Sequence, residues 1–355
     1  MFTERRLHDK KVTKKETSFD GQRFKPEEDE RVSDILRRLW MYSNKETEES
    51  YTYRAQDIPQ EMLDKGTQIL ADLRDKHKGM SEAAFNAALM QYFAYVPRRM
   101  KRLVCTRNAQ GRTTLEKMEN ILKDEEDKLA FLLDQIKTIA ALQAGDDDAD
   151  KPTKTATELF GLEWSVATPA EEEYVKSLMD DRNRDHVLNI WKVRNLKTSK
   201  RFDDFCSKHG FTEDNGISHL WHGSPAQNWW SISANGLWLK PGLNGGMFGP
   251  GLYFAPESDK SVGYTGFGCW RGEGSDNGFL ALNKVATGKP FWYYEQGGQS
   301  SDMCLTAMKR HGTDCLWAHS RAHDKSGNST LYRDEVIIYD DAQTTMEYLV
   351  EVQKH

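Results

Sequence analysis

The stretch LWHGSPAQNWWSISANGLWL, residues 220–239, leads after five residues into GGMFGPGLYFAPESDKSVGY, residues 245–264. A strand-like run ends at His222, and Gly223 and Ser224 follow at once. A glycine placed there lets a flat ligand approach the backbone, whose N–H and C=O then hydrogen-bond it. The second piece sets Gly245, Gly246, Gly249 and Gly251 around Met247 and Phe248, puts Tyr253 in a strand and brings in Tyr264 after a short polar turn. Glycine loops and aromatic faces in this order describe a cleft. Each element alone is weak, because a strand-end histidine more often packs than reacts and a glycine run serves equally as a hairpin turn. Neither GxGxxG nor GxxxxGKS/T occurs, which leaves the dinucleotide fingerprint and the P-loop unsupported. GMFG has the form of a nucleic-acid clamp without the charged helix that such a clamp needs.

Outward from this stretch, the runs HVLNIWKV (186–193), GFLALNKVA (278–286), EVIIY (335–339) and TMEYLVEV (345–352) have the β-branched and aromatic bias of strands. Thr168 with Pro169 and Glu171 opens one helix, and Phe202 with Phe205, ended by Gly210, marks another. Strands outnumber helices without regular alternation, so the C-terminal part reads as α+β with a mainly antiparallel sheet. The N-terminal part differs. Ile35, Leu36, Leu39 and Trp40 recur at helical spacing, Pro59 begins a helix carrying Met62, Ile69, Leu70 and Leu73, and Ser81 opens one that Pro97 stops. TTLE supplies a capping box, Thr113 with Glu116, ahead of a long helix through Ile139. The expected organisation is a basic and acidic arm over 1–30, an all-α bundle over 31–143, a linker over 144–160 and an α+β domain over 161–355.

Two domains also follow from size, since 355 residues exceed what one core usually serves. Lys plus Arg is 49 against 55 for Asp plus Glu, so the net charge of -6 provides no chain-wide attraction to nucleic acid or acidic membranes. The five cysteines are scattered and lack paired spacing, which fits reduced thiols inside a cell better than a disulfide framework or a zinc knuckle. No signal peptide or membrane span is visible in the sequence.

His222-Gly223-Ser224, then MFGPGLYFA with Tyr253, then DKSVGY with Ser261 and Tyr264, then DEVIIYDDAQTTMEYLVEV with Glu335 resemble the poly(ADP-ribose) polymerase catalytic domain. Upstream, FNAALMQYFAYVPRRM and LEKMENILKDEEDKLAFLLDQI resemble the regulatory helical domain that precedes it in DNA-dependent members. The resemblance implies an NAD-dependent ADP-ribosyltransferase that breaks the nicotinamide–ribose bond of NAD, with NAD as substrate and no metal. It implies that Gly223 backbone groups and the Ser261 hydroxyl hold the carboxamide, while Tyr253 and Tyr264 sandwich the ring. His222, Ser224 and Asn228 would line the adenosine ribose, and Glu335 would be catalytic, with His222 and Tyr253 completing a set that goes with polymer formation. Mono-ADP-ribosyl transfer and an inactive NAD or ADP-ribose binding module stand as alternatives. One departure is Trp238, where relatives often carry a basic residue; it stacks on adenine or simply packs in the core. Acceptor proteins are the implied partners, together with DNA ends or a DNA-binding partner reached through the basic arm and helical domain, and no membrane. The implied location is intracellular, nuclear in a eukaryote and otherwise cytoplasmic, with a part in the DNA damage response. By the same resemblance the helical domain hinders NAD entry, so that deleting 1–157 raises basal activity.

Overall fold

The computed structural model describes residues 24–53, 55–99, 115–145, 154–240, 246–266, 277–299 and 302–353. The basic arm, the TTLE capping box and the WRGEGSDNG loop (270–278) lie wholly or largely outside the described residues. The chain divides into two units, Met41–Ala144 with Lys240–Asn244, and Phe24–Trp40 with Gly145–Leu239 and Gly245–His355. The first is helical and the second carries every strand among the described residues, so the expected α+β class with an all-α N-terminal part is borne out.

Four long helices appear in the order the periodicity predicts: α1 (Glu30–Ser50), α2 (Gln60–Lys76), α3 (Glu82–Tyr95) and α4 (Leu115–Gly145). Pro59 precedes α2, where its missing N–H costs nothing, and the Ser81 hydroxyl accepts from the Ala84 N–H at 3.3 Å to cap α3. Leu63, Leu70, Phe85, Tyr92, Leu122 and Leu132 form the centre of the helical core. A Cβ on Gly66 would lie 2.5 Å from the Val96 side chain, so any larger residue there would force Val96 at the end of α3 to shift. One buried ion pair crosses the unit, Arg98 to Glu125 at 2.8 Å. Burial pushes the Glu125 carboxyl above its ordinary range despite the Arg98 charge.

The second unit holds β1 (Leu162–Val166), β2 (Val187–Asn195), β3 (Ile217–Ser224), β4 (Leu252–Phe254), β5 (Asn277–Ala286), β6 (Pro290–Trp292), β7 (Cys315–Ala318), β8 (Glu335–Ile338) and β9 (Thr344–Gln353). They form two sheets rather than one, in the orders β1-β2-β9-β5-β3 and β4-β8-β7-β6. Every pairing is antiparallel except β6 with β7. Reciprocal backbone hydrogen bonds between Trp221 and Ala255, at 2.8 and 2.9 Å, join β3 to the residue that follows β4. The short strands β6 and β7 escape sequence reading because three or four residues show no alternation, whereas β4 is the strand expected at Tyr253.

Two expected boundaries fall elsewhere. Residues 24–40, divided by sequence between an arm and the helical bundle, belong to the sheet unit. Phe24 and Trp40 pack on Trp230 with centroids 5.4 and 5.2 Å away, and Phe160 completes the group at 5.5 Å. Arg38 grips Glu351 on β9 at 2.5 and 3.1 Å, and Asn189 and Asn277 donate to the same carboxylate at 2.9 and 2.8 Å. Against the desolvation of burial, these bonds hold Glu351 below the usual carboxylate range. Within the expected linker, Ala156–Phe160 is a helix whose capping box joins Thr155 and Glu158. Its Thr157 donates to the Glu27 carboxylate from the backbone N–H at 3.0 Å and the hydroxyl at 2.7 Å. Among the described residues no helix is long and apolar enough to cross a membrane.

Candidate active site

Strand β3 extends through Ser224, two residues beyond the end expected from sequence, pairing His222, Gly223 and Ser224 with Ala281, Leu280 and Phe279 of β5. The Nδ1 of His222 lies 2.9 Å from the Tyr253 carbonyl. A carbonyl only accepts, so Nδ1 carries the proton in this contact and the ring orientation is set. Asn228, at the end of a 3₁₀ turn, donates to the Ser224 hydroxyl at 2.8 Å, and the Trp229 indole donates to the Ser224 carbonyl at 2.9 Å. These bonds hold the strand end against the next helix, Trp229–Asn235.

Gly223 is a steric requirement. A Cβ built there would sit 1.9 Å from the Ser261 carbonyl oxygen, so the backbones of β3 and the helix Ser258–Val262 meet only because position 223 has no side chain. Tyr264 follows this helix rather than the short turn expected, and its ring is 46% exposed. Asp180 fixes the helix start, accepting from the Ser258 hydroxyl at 2.9 Å and from the Asp259 N–H at 2.8 Å. The buried Ser261 sits near the other end.

Tyr253 lies on β4 with its hydroxyl locked into the glycine-rich turn, accepting from the Phe248 N–H and donating to the Gly249 carbonyl, each at 2.8 Å. Burial pushes this hydroxyl well above its ordinary pKa; the Phe248 N–H opposes that, and the charges of Glu335 and Tyr264 add to it. A Cβ on Gly246 would lie 3.2 Å from the Tyr253 ring, tighter than ordinary contact. Glu335 opens β8 opposite Ala318 of β7 and is only 8% exposed. Its Oε1 meets the Lys260 ammonium at 2.5 Å.

His222 and Tyr253, Gly223 and Ser261, and Ser224 and Asn228 are therefore direct contacts, and Glu335 joins them through Lys260, the neighbour of Ser261. Sequence reasoning passed over Lys260 and Asp180, although Lys260 stands inside the DKSVGY motif. It also assigned nothing to His319, His323 and Asp334 in the loop between β7 and β8. Asp334 is 4% exposed and takes four donors: Trp317 Nε1 at 3.1 Å and His319 Nδ1 at 2.8 Å on Oδ2, Ser320 N–H at 2.7 Å and His323 Nδ1 at 2.9 Å on Oδ1. Burial works to raise this carboxyl, but the four bonds together hold it below the usual range. Trp238 is half-buried, and the Arg321 guanidinium lies 5.0 Å from the centre of the Tyr332 ring. His219 occupies the other face of β3, 3.2 Å from Glu347.

A profile described as poly(ADP-ribose) polymerase catalytic domain matches residues 170–354. The chain is 26% identical over 272 residues to poly(ADP-ribose) polymerase 2-B of Oryza sativa subsp. japonica, covering 67% of this chain and 43% of the relative. It is 28% identical over 250 residues to poly(ADP-ribose) polymerase 1 of Xenopus laevis, covering 62% of this chain and 24% of that one. A protein mono-ADP-ribosyltransferase of Gallus gallus is 24% identical over 265 residues, 65% of this chain and 47% of that one. The chain thus spans less than half the length of these relatives.

Proposed function

The chain belongs to the poly(ADP-ribose) polymerase catalytic-domain family, and we propose that it is an NAD-dependent ADP-ribosyltransferase that forms polymer. The observation that carries this reading is the meeting of a glycine strand end, two tyrosines and a buried lysine-paired glutamate drawn from four separate segments. Gly223 offers backbone hydrogen bonds to a carboxamide and Ser261 a hydroxyl, while the faces of Tyr253 and Tyr264 take the nicotinamide ring. His222, Ser224 and Asn228 receive the adenosine ribose. With the leaving group held at both its edge and its faces, the scissile bond is positioned before reaction.

The C1′–N bond breaks with its electron pair going to the pyridine nitrogen, which turns a cationic ring into neutral nicotinamide. Positive charge then develops on the ribose, as in glycoside cleavage. The Glu335 carboxylate binds the ribose 2′-hydroxyl, favours that charge and takes the proton from an incoming acceptor hydroxyl. Lys260 fixes the carboxylate in one orientation. A glutamate at 335 in a chain that also carries His222 and Tyr253 supports repeated transfer onto growing chains as well as onto protein side chains. The similarity to a mono-ADP-ribosyltransferase keeps single transfer as the second reading. Acceptor proteins are the partners this chemistry needs. DNA ends or a DNA-binding partner at the basic arm, and an intracellular and in a eukaryote nuclear location, belong to the same proposal.

Labelled NAD tests it, with wild type beside Glu335→Ala, with and without broken DNA, on a denaturing gel. A high-molecular-weight smear lost in the variant is expected; a single sharp band means mono-transfer, and binding without label means an inactive module. A rise in Tm with benzamide is expected from the nicotinamide pocket, and its absence counts against that pocket.

A further inference from the structure

We propose that His319, His323 and Asp334 form a site for a divalent transition-metal ion of the zinc class. The register puts the first and last of them together: β7 and β8 pair Ala318 with Glu335, so His319 and Asp334 are the next residues outward on the two strands. A single turn then carries the chain back, with His323 N–H and Asp324 N–H both donating to the Ser320 carbonyl, at 3.0 and 2.8 Å. Three residues separate the two histidines, a spacing found in zinc sites. One ligand atom from each of the three side chains lies within 4.8 Å of the others.

The donors are held by groups that would not themselves be ligands. Trp317 and Ser320 each donate to a different oxygen of Asp334, so the carboxylate keeps its orientation when the histidine contacts are replaced by a metal. The His319 ring stacks on Trp292 with centroids 4.6 Å apart and planes 11° apart. His323 is exposed and leaves the outer side of the cluster open to solvent, where water completes the coordination. In the metal-bound form each imidazole carries its proton on Nε2 and presents the Nδ1 lone pair. Two imidazoles and one carboxylate suit zinc, cobalt, nickel or copper rather than calcium or magnesium, which prefer all-oxygen sets. The ion would tie both ends of the β7–β8 loop together one residue from Glu335.

The full chain, stripped with chelator, is titrated with Zn²⁺ by calorimetry and with Co²⁺ by visible absorption. The expected result is one ion per chain at micromolar affinity or tighter, with ligand-field bands of a nitrogen and oxygen site. His323→Gln and His319→Gln each weaken binding by about a hundredfold or more, and Trp317→Phe, which removes only a supporting donor, by about tenfold. No saturable binding, or equal affinity in wild type and both histidine variants, overturns the proposal. If His319→Gln loses its circular dichroism signal, His323→Gln alone decides, since its side chain is exposed. Metal binding is read without NAD, so its outcome is separate from that of the transferase assay.

Discussion

The two units bury the same kind of ion pair and treat it in opposite ways. In the helical unit Glu125 faces Arg98, and desolvation wins: its carboxyl is pushed up. In the sheet unit Glu351 is as buried, yet Arg38, Asn189 and Asn277 all donate to it and its carboxyl is held down. One guanidinium only partly offsets the loss of water, whereas a full set of donors replaces it. The lesson extends to the candidate site, where Asp334 is likewise buried, ionised and surrounded by donors. Carboxylates in the sheet unit bridge segments far apart in sequence.

The largest expected effect comes from removing residues 1–157, the truncation that sequence alone suggests as a test of autoinhibition. It strips Phe24, Arg38 and Trp40 from the sheet unit, leaving Glu351 without its arginine and Trp230 without two of its aromatic neighbours. Calorimetry should show the sheet unit melting roughly 10 °C lower, from the few kcal/mol that breaking one buried pair costs. A truncation with an unchanged midpoint would remove Phe24–Trp40 from that unit. A rate measured on this truncation therefore reports the loss of a structural element together with any release of a gate.

Next come the two arginines. Arg38→Met should cost about 3–5 kcal/mol in denaturant unfolding. Arg98→Met should cost less, because Glu125 answers by taking up the proton that burial already favours. Equal costs would break the contrast between the pairs. In the site, Lys260→Met should lower transfer by about ten- to a hundredfold through a displaced Glu335 while leaving the benzamide shift intact. Loss of both would mean that Lys260 supports the pocket rather than the glutamate.

The smallest effect is in pH. Glu351 has a depressed folded pKa, so its stabilisation is complete above the ordinary carboxylate value and is lost as pH falls through the folded one. Glu125 has a raised folded pKa, so its contribution is complete below the ordinary value and is lost as pH rises through the raised one. Amide exchange, corrected for intrinsic rates, should show β9 gaining and α4 losing protection with rising pH, each by on the order of 1 kcal/mol. Parallel slopes would refute the assignment of at least one pair.

What the sequence determined by itself was whatever repeats locally. Apolar spacing marked α1 to α4, caps at Ser81 and Thr168 marked helix starts, and the β-branched and aromatic runs of β2, β5, β8 and β9 declared themselves, because periodicity and capping act within a few residues. The motif order around His222, Tyr253, Ser261, Tyr264 and Glu335 was equally readable as a pattern. Tertiary structure decided the rest. Only the fold puts the Ser261 carbonyl where a side chain on residue 223 would stand, gives Glu335 its lysine, splits the strands into two sheets and moves Phe24–Trp40 to the second unit. It also brings His319 and His323 to Asp334 across a loop. These are contacts between residues distant along the chain, and neither propensity nor period carries information about which of them will meet.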